Sequence, residues 1–317
     1  MTFSTKLAAR YLELANCPIT ATCFAGDDAR YAPDYEALEQ ELGKASSVHA
    51  TGAIDWEVVR DGSERLLTTQ TKDLRLASWR HEWRSAARTD TGKVRARNED
   101  AFLDLPEQGL WVVADGMGGH HNGALASRLI VEQLADLPQG SLSQRIVDLR
   151  RCLHEVNRRL GQELTVTADR PDPLIGSTVV ALLLEGDRAA CVWAGDSRCY
   201  LWRSSRLYQL SRDHSLLQQL IDEHNLSAAE AARHPAAHAL TRAIGASEQL
   251  VLDILEFDVY PGDTMLLCTD GLYQSLSPDS LGAALNSSST GLALQRLFDE
   301  AMDGPCRDNL SAVVIRR

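Results

Sequence analysis

Gly109-Leu-Trp-Val-Val-Ala-Asp-Gly116 is an apolar run that stops on an acid and a glycine. Leu110 to Ala114 is too short for a free-standing helix and shows no polar alternation, so it reads as a strand buried on both faces. The same placement of acids recurs along the chain. Asp270-Gly271 follows Met265-Leu-Leu-Cys-Thr269, Asn98-Glu-Asp100 precedes a strand beginning at Ala101, and Asp308-Asn309 precedes the final apolar segment. Acids abutting apolar strands in this way point into one end of a layered β structure.

Working outward, strands are expected at Ser177 to Leu184, Arg188 to Ala194, Arg198 to Trp202, Leu250 to Val259, Asp263 to Cys268 and Leu310 to Ile315. Short gaps such as Glu185-Gly-Asp187 and Arg203 to Arg206 suit hairpins, which makes the sheets mainly antiparallel. Helices are expected at Ala124 to Leu137, with Leu125, Leu129 and Leu134 inward, and at Ser141 to Leu164. In the latter Leu142, Ile146, Leu149, Leu153, Val156 and Leu160 recur at steps of three and four. Two more are expected at His214 to Glu223 and Thr290 to Met302. Two packed sheets flanked by helix pairs would bury these strands on both faces, an α+β architecture.

Before about residue 84 the character differs. Helical readings start at Thr5, after Ala32 with Pro33 at the first turn, and at Asp55, and no convincing strand appears. The expected division is therefore 1–82, a small helical N-terminal segment, and 83–317, the main domain.

Carboxylates about 5 Å apart repel by roughly 3 kcal/mol per pair at an effective dielectric near 20, so converging acids need a cation between them. Arg95, or less suitably Arg97, is the basic residue placed to help. Hard oxygen ligands favour Mg²⁺ or Mn²⁺ over zinc. Taken singly, each Asp-Gly is equally well a turn dipeptide; the recurrence is what points to a site.

Composition narrows the alternatives. The 317 residues are 44% hydrophobic and 24% charged, ordinary for a globular chain. Lys and Arg number 32 against 44 Asp and Glu, a net charge of −12 that repels phosphate backbones and argues against nucleic acid as a partner. No apolar run approaches the roughly 20 residues needed for a membrane span, and the N-terminus lacks the pattern of a signal peptide. Seven cysteines without a C-x-x-C pair argue for a reducing compartment, the cytoplasm being the simplest.

From about Trp83 to its end the chain resembles the metal-dependent PPM-type (protein phosphatase 2C-like) serine/threonine phosphatases. The resemblance lies in Thr91-Gly-Lys-Val-Arg-Ala-Arg-Asn-Glu-Asp100, Val113-Ala-Asp-Gly-Met-Gly-Gly-His120 and Gly176-Ser-Thr178, followed by Ala194-Gly-Asp-Ser-Arg198, Asp213-His-Ser215, Pro261-Gly-Asp263, Cys268-Thr-Asp-Gly-Leu272 and Asp308-Asn309. It implies a four-layer α-β-β-α sandwich and hydrolysis of phosphoserine and phosphothreonine in proteins at a binuclear Mn²⁺ or Mg²⁺ centre. By resemblance Asp115 bridges the two ions, Asp270 and Asp308 complete one shell, and Glu99 with the Gly116 carbonyl serves the other. Asp100 acts through a water on the metal, and Arg95 binds the phosphate. Asp196 and Arg198 secure a turn beneath the site. No phosphoenzyme and no cysteine is required.

The chain departs from the family pattern in two places. Some members carry a histidine after the Asp-Gly that protonates the leaving group; here Met117 stands there, leaving water, His120 or His121 for that task. Bacterial relatives use a further aspartate for a third metal, for which Asp172 is the candidate, with Asp169 behind it. Two other features are set aside. His234-Pro-Ala-Ala-His238 has a zinc-like spacing but no glutamate, and Pro235 breaks the helix it would need; it resembles part of the family's flap. Gly195-Asp-Ser197 is no nucleophile elbow.

Asp34-Tyr-Glu-Ala-Leu38, Ile54-Asp-Trp56 and the stretch from Ser63 to Lys72-Asp-Leu-Arg75 resemble the N-terminal domain of ImpA-related proteins of bacterial type VI secretion systems, up to about Trp79. This resemblance implies tethering of the phosphatase to secretion components through residues 1–82, where it would counter a Ser/Thr kinase. The competing readings are a catalytically weak docking module of the same fold, and a general signalling phosphatase with no secretion link. Retention of Glu99, Asp100, Asp115, Asp270 and Asp308 speaks against the first.

Overall fold

The structure is a computed structural model that describes residues 83–118, 122–164 and 175–317, with backbone only for 162–164. The three helical readings before residue 82 lie outside the described residues.

Two antiparallel sheets lie at the centre. One has the order β1 (Arg84–Asp90), β11 (Leu310–Arg316), β10 (Thr264–Cys268), β7 (Arg198–Arg203), β8 (Arg206–Gln209). The other runs β2 (Asp100–Leu105), β3 (Leu110–Met117), β5 (Val179–Glu185), β6 (Arg188–Ala194), β9 (Asp253–Asp258), with the two-residue β4 (Gly176–Ser177) pairing the end of β3. Every ladder among the described residues is antiparallel.

Strand alternation sends successive residues to opposite faces, and β3 shows why its run is apolar throughout. Trp111 and Val113 join Val180, Leu182, Leu201, Leu267 and Val313 between the sheets. Leu110, Val112 and Ala114 face the other way, into a cluster with α1 (Asn122–Ala135) and α2 (Leu142–Arg158). On the far side of the first sheet, α6 (Pro278–Leu285) and α7 (Thr290–Asp303) cover Tyr200, Leu266, Ala312 and Val314. The result is four layers, α-β-β-α, around three apolar cores. Burying each Leu, Ile, Val or Phe in them contributes about 1.5–3 kcal/mol.

Serines begin five of the helices as hydrogen-bond acceptors. Ser141 Oγ accepts from the Gln144 amide (3.3 Å), and Ser289 does the same for Leu292 (3.2 Å), each satisfying an orphan N–H of the first turn. The long helix expected from Ser141 to Leu164 is α2, continued by a π-helical turn over Arg159–Leu164. Ser215 caps α3 (Leu216–His224), and a short α4 (Ala228–Ala231) follows.

Some expectations are corrected. Leu125, expected inward, is 46% exposed, because α1 turns Ala126, Leu129 and Ile130 to the core instead. The strand expected over 250–259 begins only at Asp253, the partner of Trp193, where β6 ends its pairing. β1 is polar apart from Ala86 and Ala87 and has no apolar run to mark it; its pairing with β11, from Arg84↔Arg316 to Asp90↔Leu310, makes it a strand. Asp270 follows β10 directly and opens a short helix, α5 (Asp270–Tyr273). The hairpin between β7 and β8 turns on Ser204 and Ser205, both with positive φ (51° and 61°), the twist a two-residue loop requires.

Candidate metal centre

The acids meet because of strand register. Asp100 opens β2 directly opposite Asp115 near the end of β3. β3 is locked there from both sides: the Asp115 amide donates to Thr178 Oγ1 (3.0 Å), and its carbonyl accepts from the Thr178 amide and Ser177 Oγ (2.9 Å each). Across the interface, β10 delivers Asp270 and β11 starts just after Asp308, so carboxylates from both sheets reach the same end of the sandwich.

Supporting groups fix their positions. Thr269 Oγ1 donates to Asp100 Oδ2 (2.9 Å) while accepting from the Ser311 amide (2.9 Å), tying both sheets together beneath the acids. Asn309 Oδ1 accepts from the Glu99 amide (2.9 Å), and its Nδ2 donates to the Thr91 and Arg97 carbonyls (2.9 Å each). One buried amide thus holds both ends of the 91–99 loop against β11. Gly92 lies so close to this segment that a Cβ would sit 2.2 Å from the Asp308 carbonyl oxygen, and its φ is +74°.

Glu99 comes in from the other side. Its carbonyl accepts from the Gly116 amide (3.1 Å) and Ser127 Oγ (2.5 Å). The first turn of α1 presses on this point: a Cβ on Gly123 would meet Glu99 Oε2 and the Gly116 carbonyl oxygen at 2.8 Å each. A Cβ on Gly116 would stand 2.1 Å from the Gly123 carbonyl. The close approach of strand end, acid and helix start requires glycine at both positions.

Electrostatics at this end are unfavourable without a cation. Burial, with the charges of Asp270 and Asp308, pushes Asp100 up to about 7 against the help of the Ser311 and Thr269 hydroxyls. Asp115 is driven well above the usual carboxylate range by burial and by the charges of Asp100 and Asp270. Asp270 is raised by burial and by Asp308. Asp100 Oδ1 and Asp270 Oδ1 are buried with no donor. Orphaned anionic oxygens among crowded acids fit hard divalent cations. No three His, Cys, Asp or Glu among the described residues stand ready-made around one point, and Asp308 is engaged by Arg95 (Nη2 to Oδ2, 2.7 Å).

A second ring lies beneath. Arg198 forms a bidentate pair with Asp213 (Nε to Oδ1 2.9 Å, Nη2 to Oδ2 2.7 Å) and stacks on the Tyr273 ring at 3.7 Å. Tyr273 OH donates to the carbonyl of Asp196 (3.1 Å), whose own carboxyl is raised to about 7 by burial and by Asp270 and Asp213. His214, expected to start a helix, is instead buried: its Nδ1 accepts from the Gly195 amide (3.1 Å) and its Nε2 lies 3.1 Å from Asp253 Oδ2. Arg242 bonds the same aspartate (2.8 Å), so these residues lock the 213–245 segment to β9.

Of the sequence-derived candidates, the structure thus gathers Arg95, Glu99, Asp100, Asp115, Gly116, Asp270 and Asp308 at one end of the sandwich. Asp172, Asp169, His120 and His121 lie outside the described residues. Met117 ends β3 with no acid–base group to offer. His234 and His238 lie in turns after α4, where His234 Nδ1 accepts from the Ala236 amide (3.2 Å). The sequence carries no signal that marks Thr269, Asn309, Gly123 and His214 for these roles. Neutral hydroxyls, amides and a missing side chain leave no charge pattern, although Thr269, Asn309 and His214 fall inside the quoted motifs.

A sandwich of this topology with acids gathered at one end defines a class, and the chain belongs to the protein phosphatase 2C family, whose pattern it matches over residues 89–308. It also matches the family described as ImpA, N-terminal, type VI secretion system, over residues 17–92. A solved structure described as PppA, a key regulatory component of T6SS in Pseudomonas aeruginosa, is 42% identical and covers 74% of this chain and 97% of its own, with a TM-score of 0.68. The catalytic domain of the serine threonine protein phosphatase PstP in complex with two manganese ions is 33% identical, covering 74% and 98%, with a TM-score of 0.66. The full PstP of Mycobacterium tuberculosis is 35% identical over 236 residues, 73% of this chain; the chain spans only 44% of the length of that relative.

Proposed function

We propose that the chain is a metal-dependent protein-serine/threonine phosphatase that hydrolyses phosphoserine and phosphothreonine by attack of water. The observation that carries this reading is the crowding of carboxylates from both sheets, with one buried oxygen each of Asp100 and Asp270 lacking a donor and a guanidinium at their edge. Asp115, Asp270 and Asp308 would hold one ion, and Asp115, Glu99 and the Gly116 carbonyl a second, with Asp100 behind them. The ions are Mn²⁺ or Mg²⁺, and Asp172 is the residue we assign to a third. When bound, such a pair makes water acidic enough to ionise near neutral pH. Arg95 would leave Asp308 to grip two phosphoryl oxygens and orient the monoester in line with the attacking water. Since Met117 cannot donate a proton, the departing alkoxide takes its proton from water or from His120 or His121.

Residues 83–317 form the catalytic domain in this reading, supported by the strand register that starts at Arg84, and 1–82 a docking segment. The ImpA-type match and the likeness to PppA support a role in type VI secretion; countering a Ser/Thr kinase there is the role we assign to it. No helix of the described residues is long and apolar enough to cross a membrane, and Cys152, Cys191, Cys199, Cys268 and Cys306 are free thiols, which supports a cytoplasmic location. Turnover of p-nitrophenyl phosphate with and without Mn²⁺, beside Asp115→Asn, tests the chemistry. Metal-dependent turnover that the variant abolishes is expected; equal rates would refute it. Deleting 1–82 tests the tether: unchanged targets and location would remove it.

A further inference from the structure

Two segments run side by side next to the acid cluster. The Lys93 amide donates to the Cys306 carbonyl (3.0 Å) and Lys93 Nζ to the Gly304 carbonyl (2.9 Å). Asn309 ties Thr91 and Arg97 to the same strip of chain. Thr91-Gly-Lys-Val-Arg-Ala-Arg97 and Gly304-Pro-Cys-Arg307 contain Lys93, Arg95, Arg97 and Arg307 and no carboxylate, in a chain of net charge −12. All four cations are exposed. Lys93 rests on a neutral carbonyl, so its charge is not cancelled. Val94, 66% exposed between Lys93 and Arg95, adds no charge. The carboxylates flanking in sequence are Asp90, held by Arg88 and the Gly92 amide, Glu99 and Asp100, which belong to the acid cluster, and Asp303, next to Gly304. Asp308 belongs to Arg95.

The overall negative charge opposes an anionic substrate at long range, but screening confines that field to roughly 8 Å at physiological salt. Within that distance a peptide at the site meets the cations of the rim. We infer that this basic rim reads the substrate around its phosphate: the chain favours phosphoserine or phosphothreonine flanked by Asp or Glu, engaged by Lys93 and Arg307. This rests on the phosphatase reading and adds a substrate class to it.

The test uses the full Mn²⁺-loaded chain and matched phosphothreonine peptides flanked by Glu, Ala or Lys, with p-nitrophenyl phosphate as the flank-free control. Exposed ion pairs each contribute up to about 1 kcal/mol, or about fivefold. The expected order of kcat/KM is Glu, then Ala, then Lys, about tenfold or more from first to last and narrowing with added salt. The Lys93→Glu, Arg307→Glu double variant should reverse that order while its p-nitrophenyl phosphate rate is unchanged, which also shows that it folds. Equal rates on all peptides, or an order the double variant keeps, would overturn the inference while leaving the phosphatase standing. Failure to hydrolyse any substrate, p-nitrophenyl phosphate included, would overturn both.

Discussion

Arg95 and Asp308, 213 residues apart in the chain, meet with Nη2 2.7 Å from Oδ2. The hydrogen bond to Asp308 raises the arginine above its ordinary value, assisted by the charges of Asp308, Asp115 and Asp270. In the proposed chemistry this pair comes apart, the aspartate turning to a cation and the guanidinium to the phosphate. Arg95→Ala should lower kcat/KM on p-nitrophenyl phosphate by about 30- to 150-fold, the equivalent of a lost charge-assisted hydrogen bond of ~2–3 kcal/mol. Arg95→Lys should recover only part of that, since an ammonium lacks the planar fork. Mn²⁺ affinity, measured by calorimetry, should not weaken in Arg95→Ala, because Asp308 is then unpaired.

Asn309 joins the Glu99 amide to the Thr91 and Arg97 carbonyls. Asn309→Ala strands those groups at a buried position and should cost about 2–4 kcal/mol of stability by denaturant titration. The loop carrying Arg95 loosens with it, so KM should rise more than kcat falls.

Gly123 admits no side chain between Glu99 and Gly116. Gly123→Ala should destabilise by about 1–3 kcal/mol through overpacking and weaken Mn²⁺ binding at the Glu99 side. A conservative exchange on the exposed face of the same helix, Leu125→Ala, should do neither.

Metal-free protein should lose stability as pH rises from about 4 to about 7. Asp100 and Asp196 ionise near 3.8 ordinarily and near 7 when folded, so between those values the folded chain binds more protons than the unfolded one. Stability then falls with rising pH, most of it lost by about pH 7. Mn²⁺ should reverse the trend, because cations stabilise the ionised acids. Thermal melts at pH 5 and pH 7.5, with and without Mn²⁺, read this directly.

The sequence made the strands legible wherever burial on both faces left an unbroken apolar run, as in β3, β5 and β10. It failed on β1, whose polar residues carry no such signal and whose pairing with β11 spans the whole domain. It also misplaced Leu125, since a helix's apolar stripe is a little wider than the face it buries. The acids of the site were readable because they recur where strands end. The groups that aim them were not: the hydroxyl of Thr269, the amide of Asn309 and the ring of His214 act through contacts between distant segments. The engagement of Arg95 by Asp308 had no local signature at all.

Titration calorimetry of Mn²⁺ into the folded chain, beside Asp115→Asn and Asp270→Asn, tests most directly whether these carboxylates form a metal centre. The account predicts uptake of at least two ions per chain, weakened at least tenfold in either variant. A folded wild-type chain that takes up no manganese, or variants that bind it as tightly, would contradict it.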